Sequence, residues 1–356
     1  MVFDSIYKNR PYLFEIKEDS FGGNEQIIHE VLKHTDLNLS NVSISFVNSN
    51  YNYDIYKIKS DQGNYCIKYS LDSGNRSLKK EFDILKSLPN AISPKAVAYG
   101  KMQFGDAIHY LITSFENTED LKSLGVSCIT ENIDAFLIDL QNLQNSEIET
   151  NSFNDYLTSF LKTVSVESLP EESIEAIESH SDLRIIKETI TAIENELLHL
   201  CSPKIVKDKR VCHGNLKSSN ILFKNGSFKF IDLNDSFHGN PYLDLASLII
   251  YSGLSKEMEK HIVESFIKIQ NKSDMAEQTI SYQSCYQIMI RKIFLELLTT
   301  YLKEVYVFSS SRPMKIVDCV DLFSKNAASF FRISAVEKHK EFIYRCMLEP
   351  IVGFNN

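Results

Sequence analysis

The richest chemistry in the sequence lies between residues 211 and 232. The run Val211-Cys212-His213-Gly214-Asn215-Leu216-Lys217-Ser218-Ser219-Asn220 leads from an apolar stretch into a polar loop. Ile221-Leu222-Phe223 and Phe228-Lys229-Phe230-Ile231 then flank Asn225-Gly226, a hairpin signal, because both turn residues accept the positive φ that a two-residue turn needs. Such a hairpin returns the chain on itself, so Asn220 at its entry is expected close to Asp232 at its exit. An amide oxygen and a carboxylate there suit Mg²⁺, a hard ion that takes oxygen ligands and shares them with substrate phosphates. No other cluster competes with this one. The nine histidines form no HxxxH or HExxH pair, and the seven cysteines are scattered without a CxxC, which reads as reduced core thiols rather than a disulfide or zinc framework.

The elements that must position this segment fall into two groups. From about Ser43 to Thr113 the pattern is mostly strand-like, with strands fitting 43–47, 55–59, 65–69, 96–99 and 109–113 and the turn-forming Asp61-Gln62-Gly63-Asn64 joining the second and third. Helical spacing appears there at 24–34, through Ile27, Ile28, Val31 and Leu32, and at 76–88, with Leu78, Phe82, Leu85 and Leu88 on one face. After about Asp120 the hairpin is an island among helical segments at 132–143, 153–164, 183–200, 243–251, 256–269, 280–307, 314–331 and 335–348. Ser309-Ser310-Ser311 before Arg312-Pro313 reads as a surface loop.

Two charges in the first group sit among apolar neighbours. Glu81 follows Leu78 by three residues and precedes Leu85 by four, so the helical repeat places its carboxylate beside the buried stripe. Lys68 lies in the strand Tyr65-Cys66-Ile67-Lys68-Tyr69 and is the natural partner, since either charge buried alone is costly. Two snorkelling surface charges would give the same pattern. Glu257, Glu259, Glu264 and Glu296 lie in the later helices, where a charge reads as a solvated face.

The string His213-Gly214-Asn215 through Asn220, then Ile231-Asp232, then Asp235-Ser236-Phe237-His238-Gly239-Asn240-Pro241-Tyr242-Leu243-Asp244-Leu245-Ala246 resembles the catalytic core of the aminoglycoside phosphotransferase and choline kinase group. That group carries H-G-D-x-x-x-x-N, a hairpin, I-D, and a D-x-x-x-G-x-P-x-x-D-L-A stretch. The resemblance implies an α+β, bilobal protein-kinase-like fold with a cleft between a small β-rich N-lobe and a larger, mostly helical C-lobe. It divides the chain into an N-terminal extension, 1–23, an N-lobe, 24–114, and a C-lobe, 115–356. It also implies ATP as phosphoryl donor, with Lys68 on the α and β phosphates, Glu81 pairing with it, and the backbone around Thr113 and Phe115 at the adenine edge. Asn220 and Asp232 would bind Mg²⁺ and His213 would brace the loop, although His213 also reads as a satisfied core histidine. Asp244 reads as a helix-start carboxylate that ties the loop down through backbone N–H groups.

Two departures from the family pattern matter. The loop 48–54 contains no glycine where backbone N–H groups approach phosphates, leaving the side chains of Ser49 and Asn50 as donors. Asn215 stands where the family has the aspartate that orients or accepts the proton of the substrate hydroxyl, and a carboxamide takes no proton near neutral pH. Three readings follow: a phosphotransferase acting on the hydroxyl of a small molecule, with another group or water replacing the base; a pseudokinase that binds nucleotide or a protein partner; and a kinase-like enzyme transferring AMP.

Composition narrows the partners. Hydrophobic residues make up 43% and charged residues 24% of the 356, as in an ordinary globular chain, so an ordered fold over most of the length is expected. Lys and Arg number 38 against 47 Asp and Glu, and a net charge of −9 argues against a general nucleic-acid or anionic-membrane binder. No apolar run approaches the roughly 18 residues of a membrane span, and the first residues lack the apolar core of a signal peptide. A cytoplasmic protein without membrane contact is expected.

Overall fold

The computed structural model describes residues 22–49, 53–70, 77–115, 119–125, 127–165, 181–201, 210–270, 274–306 and 314–348. The chain forms two units, one of residues 1–86 and 94–117, the other of 87–93 and 118–356. Asn50 and the serine run at 309–311 lie outside the described residues.

The first unit is an antiparallel sheet with one helix on each side of its chemistry. After α1 (Gly22–Lys33) come β1 (Ser43–Ser49), β2 (Asp54–Ser60), β3 (Gly63–Ser70), α2 (Ser77–Ser87), β4 (Ala96–Phe104) and β5 (Asp106–Ser114), with strand order β1-β2-β3-β5-β4. Side chains alternate between the two faces of a strand, and β3 uses both. Ile67 and Tyr69 join Ile58, Ile108, Tyr110 and Ile112 in a core closed by Ile27, Ile28 and Val31 of α1. Lys68 points the other way. In α2 the buried residues are Leu78, Glu81, Ile84 and Leu85, so the stripe is centred on Glu81, while Phe82 is half-buried against the Tyr99 ring. The expectation of Phe82 in that stripe is corrected: Ile84 takes the place, because the buried face follows the packing and not the bulk of the side chain.

The second unit opens with β6 (Glu119–Asp120), α3 (Leu121–Leu124), α4 (Ser127–Glu131), α5 (Ile133–Gln144), β7 (Asn151–Ser152), α6 (Phe153–Val164) and α7 (Ser181–Leu200). Then follow β8 (Arg210–Cys212), β9 (Ile221–Lys224), β10 (Ser227–Phe230), β11 (Phe237–Gly239), α8 (Tyr242–Ser252), α9 (Lys256–Ile269), α10 (Met275–Tyr306), α11 (Met314–Phe330), α12 (Ser334–Glu337) and α13 (Lys340–Leu348). Its strands form two small sheets, β10-β9-β6 and β7-β11-β8. The helices α7, α8, α10 and α11 enclose the core, and α8 is buried from Tyr242 to Ile250. The long helix α10 begins five residues earlier than periodicity indicates, because Asp274 caps it by accepting the N–H groups of Ala276 and Glu277. The single helix expected at 335–348 is in fact two. Glu337-Lys338-His339-Lys340-Glu341 offers no apolar side chain to hold the middle turn to the core, while Val336 and Ile343 on either side are buried. Among the described residues no helix is long and apolar enough to cross a membrane.

Candidate functional site

The loop that follows β8 is held from several directions. Gly214 has φ +82, and a Cβ there would lie 2.1 Å from the Asp235 carbonyl oxygen, so both backbone conformation and space demand glycine. Asp244, in the first turn of α8, accepts the N–H of His213 at 2.8 Å and that of Gly214 at 3.1 Å. Burial raises the Asp244 carboxyl pKa, and His213 and these N–H donors oppose the rise. Behind it, Gln144 donates to the Pro241 carbonyl at 3.2 Å.

His213 is buried and neutral by its contacts. Its Nε2 lies 2.9 Å from the Ile231 carbonyl oxygen, which can only accept, so Nε2 carries the proton; Nδ1 then accepts the Asn215 N–H at 3.4 Å. Burial pushes its pKa below the ordinary 6.5, against the pull of the Asp244 and Asp232 charges. A histidine whose folded pKa is depressed binds its proton more readily in the unfolded chain. Stability should therefore fall as the pH drops below about 6.5, with a slope of at most about 1.4 kcal/mol per pH unit. Urea titrations at pH 7.5 and 5.5 should show this loss reduced in His213→Gln, and an equal loss in both proteins would exclude His213 as its source.

The hairpin forms as Asn225-Gly226 predicts, with φ +52 and +79, and pairs Ile221 with Phe230. Asp139 of α5 accepts the Phe228 N–H at 2.8 Å, and the Phe136 ring packs against Phe228 and Phe230, so the hairpin cannot slide. Beyond the last pair, the Ile231 N–H donates to the Asn220 carbonyl at 3.1 Å, which places Asp232 beside Asn220. Asp232 adopts the left-handed conformation, φ 63 and ψ 52, a sharp turn that re-aims its carboxylate.

The carboxamides of this loop have a defined sense. Asn220 Nδ2 donates to the Asn215 carbonyl at 2.9 Å, turning Oδ1 to the other side, where Ser219 Oγ stands 3.5 Å away. An amide oxygen at Asn220 and a carboxylate at Asp232, on residues that the hairpin brings side by side, are oxygen donors of the type that fits Mg²⁺ bringing phosphate oxygens as its remaining ligands. Asn215 Oδ1 is buried and has no hydrogen-bond partner among the described residues.

In the first unit, Lys68 Nζ and Glu81 Oε2 meet at 2.8 Å, with exposures of only 7% and 4%, so the pair is buried and the two charges are not snorkelling apart. The ammonium also stands 4.3 Å from the centre of the Tyr53 ring. Ser49 ends β1, its backbone opposite Asp54. Thr113 lies on β5 opposite Cys66 of β3, and the Phe115 N–H donates to the Asn64 carbonyl at 2.9 Å, so that donor is already engaged within the unit. The structure thus brings Lys68 and Glu81 together in one unit and His213, Asn215, Asn220 and Asp232 together in the other.

Sequence reasoning missed a group behind the loop. Tyr156 of α6 donates to the Gly214 carbonyl at 3.3 Å, and Lys292 of α10 is buried beside it with Glu296 and Tyr251. A capping box at Ser152 and Asp155 starts α6 and so fixes where Tyr156 stands. The available signal was Arg291-Lys292, two cations inside the otherwise apolar run from Ile288 to Leu295.

The sequence profile of the phosphotransferase enzyme family matches residues 43–267. No curated protein matches the chain. Among solved structures, a thermostable mutant of the aminoglycoside phosphotransferase APH(4)-Ia in ternary complex with ADP and hygromycin B superimposes with a TM-score of 0.56 at 10% identity, covering 87% of this chain and 98% of that one. The choline kinase LicA from Streptococcus pneumoniae gives 0.56 at 17% identity, over 86% and 99%. The spectinomycin phosphotransferase APH(9)-Ia, in complex with ADP and spectinomycin, gives 0.55 at 14% identity, over 89% and 98%. The fold is that of the protein-kinase-like aminoglycoside phosphotransferases, an antiparallel sheet with its helices in one unit and a mostly helical second unit.

Proposed function

The chain belongs to the phosphotransferase enzyme family, and from that membership we propose that it transfers the terminal phosphoryl group of ATP to the hydroxyl of a small molecule. The observation that carries this reading is the buried Oδ1 of Asn215, which has no hydrogen-bond partner among the described residues, five residues before Asn220. Leaving such an atom unsatisfied costs about 1–3 kcal/mol, and an acceptor hydroxyl, or a water relaying its proton, would satisfy it. The complexes of structural neighbours with ADP and a small molecule support a site of the same two-ligand kind.

In this reading each unit contributes its own part. Lys68, held by Glu81, would take the α and β phosphates, with Ser49 as a side-chain donor to them and Thr113 and Phe115 near the adenine. Asn220 Oδ1 and Asp232 would hold Mg²⁺, which when bound neutralises charge on the phosphates and fixes their orientation. His213 and Asp244 keep the loop in one conformation, so that Asn215 meets the acceptor in a fixed orientation.

Mg·ATP should therefore raise the melting temperature of the intact protein, by an amount corresponding to about 2.7 kcal/mol at a hundredfold excess over Kd, and Asp232→Ala should remove the rise. No rise in the unaltered protein would sink the nucleotide reading. The second reading, a pseudokinase that binds nucleotide without turnover, is favoured by the missing charge at Asn215. It predicts the same rise with no release of the terminal phosphate, even after Asn215→Asp.

A further inference from the structure

Behind the loop stands an aromatic group that the proposed roles leave unused. The Tyr156 ring of α6 stacks on Phe237 of β11, with centroids 4.5 Å apart, and on Phe153 and Phe160 of its own helix at 6.2 and 6.4 Å. These ring neighbours are all phenylalanines, and one more phenylalanine would serve the packing equally well. The hydroxyl is the addition, and it ends on the loop: it donates to the Gly214 carbonyl at 3.3 Å. Burial pushes the Tyr156 pKa up further than the Lys292 charge pulls it down, so the hydroxyl keeps its proton as a donor. Lys292 of α10, only 4% exposed, closes the group off, its ammonium 5.7 Å from the centre of the Tyr156 ring and 4.6 Å from that of Phe160.

What matters is which peptide this bond grips. The Gly214 carbonyl and the Asn215 N–H belong to one planar peptide unit. Tyr156 holds the carbonyl end, and His213 Nδ1 accepts from the N–H end at 3.4 Å. Gly214 has φ +82 and no Cβ, so its own backbone restrains the torsion that follows it very little. Rotation about the Gly214 Cα–C bond would carry Asn215 and its side chain with it. Beyond Asn215 the chain is fixed again, because Asn220 Nδ2 donates to the Asn215 carbonyl at 2.9 Å. The direction of the Asn215 side chain thus depends on a single peptide unit, held at one end from α6 and at the other by His213.

We propose that Tyr156 is a positioning residue for phosphoryl transfer: through the Gly214 carbonyl it fixes the peptide unit 214–215 and so aims Asn215 Oδ1 at the acceptor hydroxyl. Tyr156 touches neither the nucleotide nor the acceptor and acts only through the loop backbone. Both bonds on the peptide are long, so neither alone is strong, and together they set one torsion from opposite ends. This inference rests on the phosphotransferase reading.

The test is Tyr156→Phe in the full chain, which keeps the ring and its stacking and removes the hydroxyl alone. Hydrogen exchange at the Asn215 amide should quicken by about fivefold, as one hydrogen bond on its peptide is lost, while the Phe228 and Phe230 amides of the hairpin keep their rates. With Mg·ATP alone and water as the acceptor, kcat for ADP release should fall by about fivefold, with KM for ATP and the rise in melting temperature with Mg·ATP as they were. In the Asn215→Asp background the loss should reach about tenfold or more, since misdirection removes more where the directed group contributes more. Losses of the same size in both backgrounds would overturn the inference in favour of a packing role. Unchanged exchange at Asn215, or a raised KM with kcat intact, would overturn it as well. Full turnover by Tyr156→Phe beside an active unaltered protein would overturn the inference and leave the phosphotransferase reading standing. Absence of ADP release from both the unaltered protein and Asn215→Asp would remove the reading beneath it.

Discussion

Asn215→Asp is expected to raise phosphoryl transfer by about tenfold to a hundredfold, with nucleotide affinity unchanged. A well-placed general base contributes about 10²–10⁴ in rate, and the low end is expected where the surroundings have not been arranged around a carboxylate. The replacement is isosteric, and the contacts that hold residue 215 are backbone ones: its N–H to His213 Nδ1 and its carbonyl to Asn220 Nδ2. The side chain can therefore change its chemistry without moving the loop. Its oxygen Oδ1 has no partner among the described residues to lose. Release of ADP from Mg·ATP by the two proteins is the measurement, with the melting-temperature rise as the control for binding. An unchanged rate would show that residue 215 does not act at the chemical step.

Glu81→Ala is expected to destabilise the protein by about 3–5 kcal/mol, read from urea denaturation. Lys68 is only 7% exposed, and its ammonium would lose the carboxylate 2.8 Å away. The Tyr53 ring face, 4.3 Å from the ammonium, offsets only part of that, since a desolvated aromatic face contributes about 2 kcal/mol. Replacing both partners, Lys68→Met with Glu81→Leu, should leave stability near that of the unaltered protein and abolish the response to Mg·ATP. The contrast separates what the pair does for the fold from what it does for the nucleotide. A loss below about 1 kcal/mol for Glu81→Ala would mean that the pair is solvated.

Much of the fold was legible because local rules agreed with the tertiary outcome. Alternating apolar residues located five strands of the first unit, and Asn225-Gly226 announced the hairpin that sets Asn220 beside Asp232. The same patterns misplaced Phe82, because which side of α2 is buried depends on the sheet it meets, and periodicity alone does not contain that sheet. They also joined α12 to α13, because local helix propensity does not register that five polar residues find nothing to pack against. Glu296 reads as a solvated face, and nothing in the helical pattern singles out Lys292. Only the arrival of Tyr156 and Phe160 from α6 buries the Lys292 ammonium, while the Glu296 side chain stays 42% exposed.

The sequence by itself determined the family and the order of the chemical groups from His213 to Asp244, with an amide side chain at residue 215. These are properties of residue identity and spacing, which survive without coordinates. Only the tertiary structure decided that Lys68 and Glu81 are one buried pair, that His213 is neutral with its proton on Nε2, and that Tyr156 is tied to the loop at Gly214. Each of those depends on desolvation and on partners distant in the chain. Burial and charge pairing decide what an ionisable group can do, and neither exists until the chain has brought its separate segments into contact.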